Sequence, residues 1–260
     1  MTTPQAATAL SSAETAQASQ VGLVTLMGRD LAQAWQLVDS HDLRGTLPRF
    51  KLAVLAIVRR YGQGSASLAA QAYRTERSAV GIIAPLTIRT APLPPPEQVQ
   101  VAIDWATKSL WGPQHPDTFT TVQTKVLGAS EKMALDVGRH TVIDTVGLDQ
   151  QARGWARIPK PGACSFCALM ATRGAVYKEH TGAANVRGPR NPDAGVAFLG
   201  EGQAKFHDHC RCVLVPVFGP YEASAQIREW DALYSRVSKG KQGRDALNAF
   251  RVAYEAQQGS

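Results

Sequence analysis

Four cysteines in two close pairs constrain this chain more than any other feature: Cys164-x-x-Cys167 opens "CSFCALMATRGAVY", and Cys210-x-Cys212 closes "HDHCRC". Two residues of separation let a tight knuckle aim both thiolates at one ion, which makes the first pair the usual half of a zinc site. The second pair leads into the apolar run "VLVPVFG". If 210–214 is extended, Cys210 and Cys212 share one face while His209 and Arg211 take the other, because strand side chains alternate. Cys164, Cys167, Cys210 and Cys212 are therefore the expected ligands of one structural Zn2+, with His207 and His209 as alternates.

Other chemistries stay open. A thioredoxin-like motif would follow a βα unit, and the chain before Cys164 is mostly helical in pattern. A catalytic Cys–His pair using His207 or His209 needs a thiol activated by a neighbouring base. The cysteines could also pack as small hydrophobes or cross-link. The N-terminal "MTTPQAATALSSAETAQASQ" lacks a cationic start and an apolar core, so a reducing cytosol is expected, where clustered cysteines favour metal or catalysis over disulfides. The longest apolar run, "LAVLAIV", is too short to span a bilayer.

Patterning divides the 260 residues into a flexible N-terminus (1–20), a helical domain (21–84), a Pro-rich linker (85–96), a long helical segment (97–150), a cysteine-stapled module (151–220) and two closing helices (221–260). In the helical domain, Leu23, Leu26, Met27, Leu31, Ala34, Trp35 and Val38 recur at helical spacing. A second helix starts near Pro48, and "YGQGSAS" breaks it before a third. Five prolines in "PLTIRTAPLPPP" favour extended geometry, and Pro96 suits the first turn of the next helix. Gly128 and Gly138 each weaken the long helical pattern by about 1 kcal/mol and predict a kink or split. "GWARI" and "CRCVLVPVFG" carry the strand residues. The fold class is mainly α, with a small α+β C-terminal module whose short strands surround the cysteines. The lone histidines and the five tryptophans read as ordinary polar and core residues.

Charge is uneven. Residues 151–190 hold seven Lys/Arg against one acid, while 111–150 hold three bases and five acids. Such a footprint suits nucleic acid. Arg153, Arg157, Lys160, Arg173 and Lys178, flanking the first cysteine pair, are the candidate contacts to phosphate.

The ordered set Trp155, Arg157, Pro159, Pro161, Cys164, Cys167, Arg173, Gly174, Val176 and Tyr177, then a Gly-rich loop, then His207, His209, Cys210, Arg211 and Cys212, resembles the MuF-like minor head proteins of tailed bacteriophages, in the form common among phages of actinobacteria. The resemblance covers about a quarter of the chain. It implies a non-enzymatic minor capsid protein, assembled in the host cytoplasm and held inside the virion near the portal. Its partners would be the portal protein, other head proteins and packaged double-stranded DNA, and its role head assembly and DNA packaging or ejection. Some relatives are associated with capsid maturation proteases, but neither Gly-x-Ser-x-Gly nor a Ser/His/Asp set is evident here. The rival readings are a head-assembly protease or metal-dependent nuclease built on the Cys/His cluster, and a zinc-stapled non-specific DNA-binding module.

Overall fold

The computed structural model describes residues 4–113, 115–175 and 206–258. Its first helix, α1 (Pro4–Ala34), starts well before the expected flexible segment ends. The reason is a seam hidden by polar residues. Ala13, Gln17, Gln20, Val24, Met27, Leu31 and Ala34 are all buried and alternate in steps of four and three, which is one helix face. Gln20 holds the polar part of the seam. Its Nε2 donates to the Ser65 carbonyl at 2.9 Å, and its Oε1 accepts from Ser65 Oγ at 2.9 Å. Over its described residues, from Pro4, the segment expected to be flexible is helical, and from Ala13 it is packed.

After a 3-10 turn at Trp35–Leu37, α2 (Leu43–Ala79) begins behind the N-cap Asp42, whose carboxylate accepts from Gly45 N at 2.9 Å. The helix then runs unbroken through "YGQGSAS", where a break was expected. The small residues there are a crossing point rather than a hinge. A Cβ on Gly62 would lie 3.1 Å from Val137 Cγ2 and 3.2 Å from Leu93 Cδ2. Opposite them, α4 (Thr118–Leu148) is also continuous. Gly138, expected to kink it, marks a close approach to α2: an added Cβ would sit 2.8 Å from the Ser65 carbonyl oxygen. The 1 kcal/mol or so that glycine costs a helix is exchanged for backbone-to-backbone contact.

This contrast is testable. Gly138→Ala should destabilise the protein by about 1–2 kcal/mol, overpacking outweighing the gain in helix propensity. Gly22→Ala, whose Cβ would meet nothing within 4 Å, should stabilise by up to about 1 kcal/mol. Denaturant melts of the two variants check the opposite signs.

Between α2 and α3 (Pro96–Thr107), the Pro-rich segment is a strap. Leu86, Ile88 and Leu93 pack on the cores, Ala91 is buried, and the Ala91 amide donates to Thr141 Oγ1 of α4 at 2.9 Å. With prolines removing amides that would need partners, the segment lies extended along helices. It is not a spacer between separate domains. α3 starts at Pro96 as expected and is tied to α2 by Lys51–Asp104 at 2.5 Å. Trp35, Phe50 and Phe119 close that end of the bundle with edge-to-face contacts, at centroid distances of 5.1 and 6.3 Å.

Beyond α4 the chain turns at Asp149, buried, which accepts from Arg77 Nε at 2.9 Å and Tyr73 Oη at 3.1 Å. Strand β1 (Gly154–Ile158) pairs antiparallel with β2 (Val213–Val217), in the register Gly154↔Val217 to Ile158↔Val213. Two strands alone are marginal in water; these are supported by helices. Trp155, Phe206, Cys167, Cys210, Cys212 and Leu214 share one core with Ala69 and Tyr73 of α2 and Val142, Ile143 and Val146 of α4. The expected boundary near residue 150 is therefore no boundary between cores. α5 (Ser165–Ala171) packs with α6 (Ala225–Val237) and α7 (Gly243–Gln258) around Trp230, Phe250 and Tyr254. The mainly helical class with a small sheet beside the cysteines is as the patterning predicts.

Candidate metal centre

The first cysteine pair sits where β1 gives way to α5. Cys164 is the N-cap of α5, and its Sγ accepts from the Cys167 amide at 3.5 Å. This places Cys167 one turn in, facing the core, and leaves Cys164 exposed. The second pair follows a turn closed by Cys210 N donating to the His207 carbonyl at 3.1 Å, with His209 in the left-handed region (φ 60°). Cys210 and Cys212 are buried.

Five donors meet here in two overlapping groups. Cys164, Cys167 and His207 form one, and Cys167, Cys210 and Cys212 the other; within each, all ligand atoms lie within 4.8 Å of one another. Cys167 belongs to both. Its Sγ is 3.4 Å from Cys210 Sγ and 3.4 Å from His207 Nε2, and Cys164 Sγ is 2.9 Å from His207 Nε2. His209 goes elsewhere. The turn swings its ring onto α4, where a Cβ on Gly128 would lie 2.5 Å from its Nε2, and its Nδ1 is 3.8 Å from Glu131. Of the two alternate histidines, only His207 reaches the sulfurs.

Electrostatics follow from the crowding. The Cys164 thiol is pulled down to about 4, by hydrogen bonding with Cys167 first and with His207 second. His207 is pushed up to about 9, chiefly by Cys164. Cys167 is raised by its bonds to Cys164, Cys210 and Cys212 and by burial. Cys210 is lowered by its bonds from Cys167 and Cys212, with the Arg139 charge adding to them. Cys212 is drawn down by Cys167, but Cys210 and burial outweigh this and push it up to about 12. Packed sulfurs share negative charge unequally, and a divalent cation among them would let all ionise. The donors are soft thiolates with at most one imidazole, a set suited to zinc and unsuited to Mg2+ or Ca2+.

Several surrounding residues gave no local sign in the sequence. Arg139, in the middle of α4, donates to the carbonyls of both Cys210 and Cys212. Phe206 lies under two guanidinium groups, those of Arg139 and Arg157. Tyr254, far along the chain on α7, donates its hydroxyl to the Ala163 carbonyl beside the first cysteine. Glu131, whose side chain is fully buried, receives Arg211 through Nη2 at 2.5 Å and Nε at 3.4 Å.

The expected basic patch does not form as drawn. Arg157 is 1% exposed, 4.1 Å from the Phe206 ring centroid, and supports the core rather than a surface. On the inward face of β1 its long side chain covers aromatic surface, which a charge count along the sequence cannot reveal. Arg153 is exposed, Lys160 and Arg173 are half-buried, and Lys178 lies outside the described residues, as do Val176 and Tyr177 of the motif. Trp105 and Trp111, read as core, are exposed at 60% and 55%.

A family model described as VG15 protein matches residues 1–237, nine-tenths of the chain and every element through α6. The chain belongs to the VG15 family. This is a phage-associated family, and the match spans both the helical part and the cysteine cluster. Neither the curated proteins nor the solved structures contain a match. The VG15 region leaves out α7, so the Tyr254 contact to the cysteine knuckle comes from beyond the matched segment. Among the described residues of this VG15 protein, no helix is long and apolar enough to cross a membrane.

Proposed function

We propose that this VG15 protein is a MuF-like minor head protein of a tailed bacteriophage, held inside the capsid near the portal and acting in head assembly and in DNA packaging or ejection. One Zn2+, bound by Cys164, Cys167, Cys210 and Cys212, staples the start of α5 to the 206–212 knuckle. The observation that carries a structural rather than catalytic reading is burial: Cys167, Cys210 and Cys212 are each 2% exposed and belong to the main core. A nucleophile must meet its substrate, and these sulfurs face protein. α3 leaves Val101 and Trp105 exposed four residues apart on one face, which suits a helical arm that docks on the portal or another head protein. Arg153, Lys160 and Arg173 remain as weak, sequence-independent contacts to packaged DNA.

Mass spectrometry of purified virions and of DNA-free ghosts, with cross-linking in intact heads, tests the placement. The protein should be present at few copies, stay with the particle, and cross-link to the portal. Its absence from virions would reject the reading.

One observation favours a second reading. Cys164 is exposed, 2.9 Å from His207, with its thiol drawn down and the imidazole pushed up, as in a cysteine protease pair. That enzyme would cleave head or scaffold proteins, and Cys164→Ser would abolish cleavage with the fold intact. If Cys164 holds zinc, no cleavage occurs and its thiol resists alkylation until the metal is removed.

A further inference from the structure

Arg139 lies in α4 and is 3% exposed, yet its guanidinium is aimed at the cysteine knuckle. Nε donates to the Cys212 carbonyl at 3.1 Å, and Nη2 donates to the carbonyls of Cys210 at 2.5 Å and Cys212 at 2.9 Å. Its guanidinium carbon stands 3.9 Å from the Phe206 ring centroid, and that of Arg157 stands 4.1 Å from the same centroid. Buried cations need nearby negative charge. Asp136 accepts from Arg139 Nη1 at 2.7 Å, but it also takes Lys132 Nζ at 2.7 Å, so one carboxylate serves two cations. Among the described residues, the group left beside Arg139 to balance it is the cysteine cluster. Zinc with four thiolates is dinegative; with three thiolates and an imidazole it carries one charge fewer.

We infer that Arg139 is the charge-compensating and positioning residue of this centre, selecting four thiolates as its ligands and leaving His207 as a hydrogen-bonding neighbour of Cys164. The inference rests on the zinc reading proposed above. The fork fixes the two carbonyls that flank Arg211, and so the spacing of the Cys210 and Cys212 side chains, while its charge lowers the cost of burying a dinegative centre. Metal-centre partners of this kind are typically worth about 10–100-fold in affinity.

The test uses the full chain, with Zn2+ affinity measured by chelator competition and Co2+ as a spectroscopic substitute. The thiolate-to-cobalt absorption of the parent should have four-thiolate intensity, and His207→Ala should leave it and the Zn2+ affinity unchanged. Arg139→Met should weaken Zn2+ binding about 10–100-fold. Arg139→Lys, which keeps the charge but loses the fork, should recover most of that loss; a purely geometric role would leave Lys as weak as Met. The inference is overturned by three-thiolate intensity, by a comparable loss in His207→Ala, by Arg139→Met binding like the parent, or by no recovery in Arg139→Lys. Should Arg139→Met fail to fold by circular dichroism, Arg139→Gln, which keeps a donor for the carbonyls but removes the charge, carries the same expected weakening, and unchanged binding there would overturn the inference. A parent that takes up neither metal, or a Cys167→Ser variant that binds as well as the parent, overturns the zinc reading itself. Normal parental binding with an indifferent Arg139→Met overturns only the role of Arg139.

Discussion

Chelating the metal should collapse the region around β1, α5 and β2 while leaving most of the helical signal in place. Structural zinc sites contribute binding free energies of roughly 10 kcal/mol or more, comparable to the whole net stability of a domain. The region that loses this support has little regular structure of its own, two five-residue strands and a seven-residue helix, and its packing on α2 and α4 runs through the same core as the sulfurs. Cys167, Cys210 and Cys212 sit in one core with Trp155 and Phe206, so freeing the sulfurs loosens the packing around a fully buried tryptophan. The long helices α1, α2 and α4 pack on each other mainly through a second core, around Met27, Phe50, Val58 and Val126, that contains no cysteine. Near-ultraviolet circular dichroism and Trp fluorescence should therefore change strongly with chelator, and far-ultraviolet dichroism only in part. Acid should act in the same direction, because thiolates must take up protons to release the ion. Spectra indifferent to a strong chelator would contradict the staple.

The second large effect concerns Arg211. Glu131 presents a side chain of 0% exposure on α4, and Arg211 covers both of its oxygens from the knuckle. Arg211→Ala strands a buried carboxylate with, among the described residues, the more distant His209 at 3.8 Å. Breaking a buried pair costs about 3–5 kcal/mol, and because the Arg211 side chain keeps 28% of its exposure the lower end is expected. The paired change Glu131→Leu with Arg211→Met should return stability to within about 1 kcal/mol of the parent, since packing replaces a charge pair that had to be desolvated. Chemical denaturation of the zinc-loaded proteins checks both. A loss under about 1 kcal/mol in Arg211→Ala would show that the pair does not lock the knuckle to α4.

How much of this was legible in the sequence depends on the range of each contact. The helices from Pro96 onward, β1 and α5 follow from local periodicity and capping, and the paired spacing brings Cys167 beside Cys210; but β2 starts only at Val213, so the turn before Cys210, and not a shared strand face, places the second pair. Gly62, Gly128 and Gly138 misled because a glycine's cost is local while its benefit lies on another element: Leu93 and Val137, His209, and Ser65 respectively. Gln17 and Gln20 concealed the start of α1 because polar side chains interrupt an apolar stripe that is continuous in burial. The charge run around the first cysteine pair looked like a surface until β1 turned Arg157 inward. Arg139 and Glu131 carry no signature at all; only the packing of α4 under the knuckle gives them roles.

The most direct measurement of the central claim is metal content set beside a thiol count. Protein purified without added chelator should contain about one zinc per chain by elemental analysis. Thiol titration of the native protein should find the four cysteines protected, and titration after denaturation with chelator should find all four reactive. Metal-free protein whose thiols react without chelator would contradict the account, and so would a disulfide between any two of them.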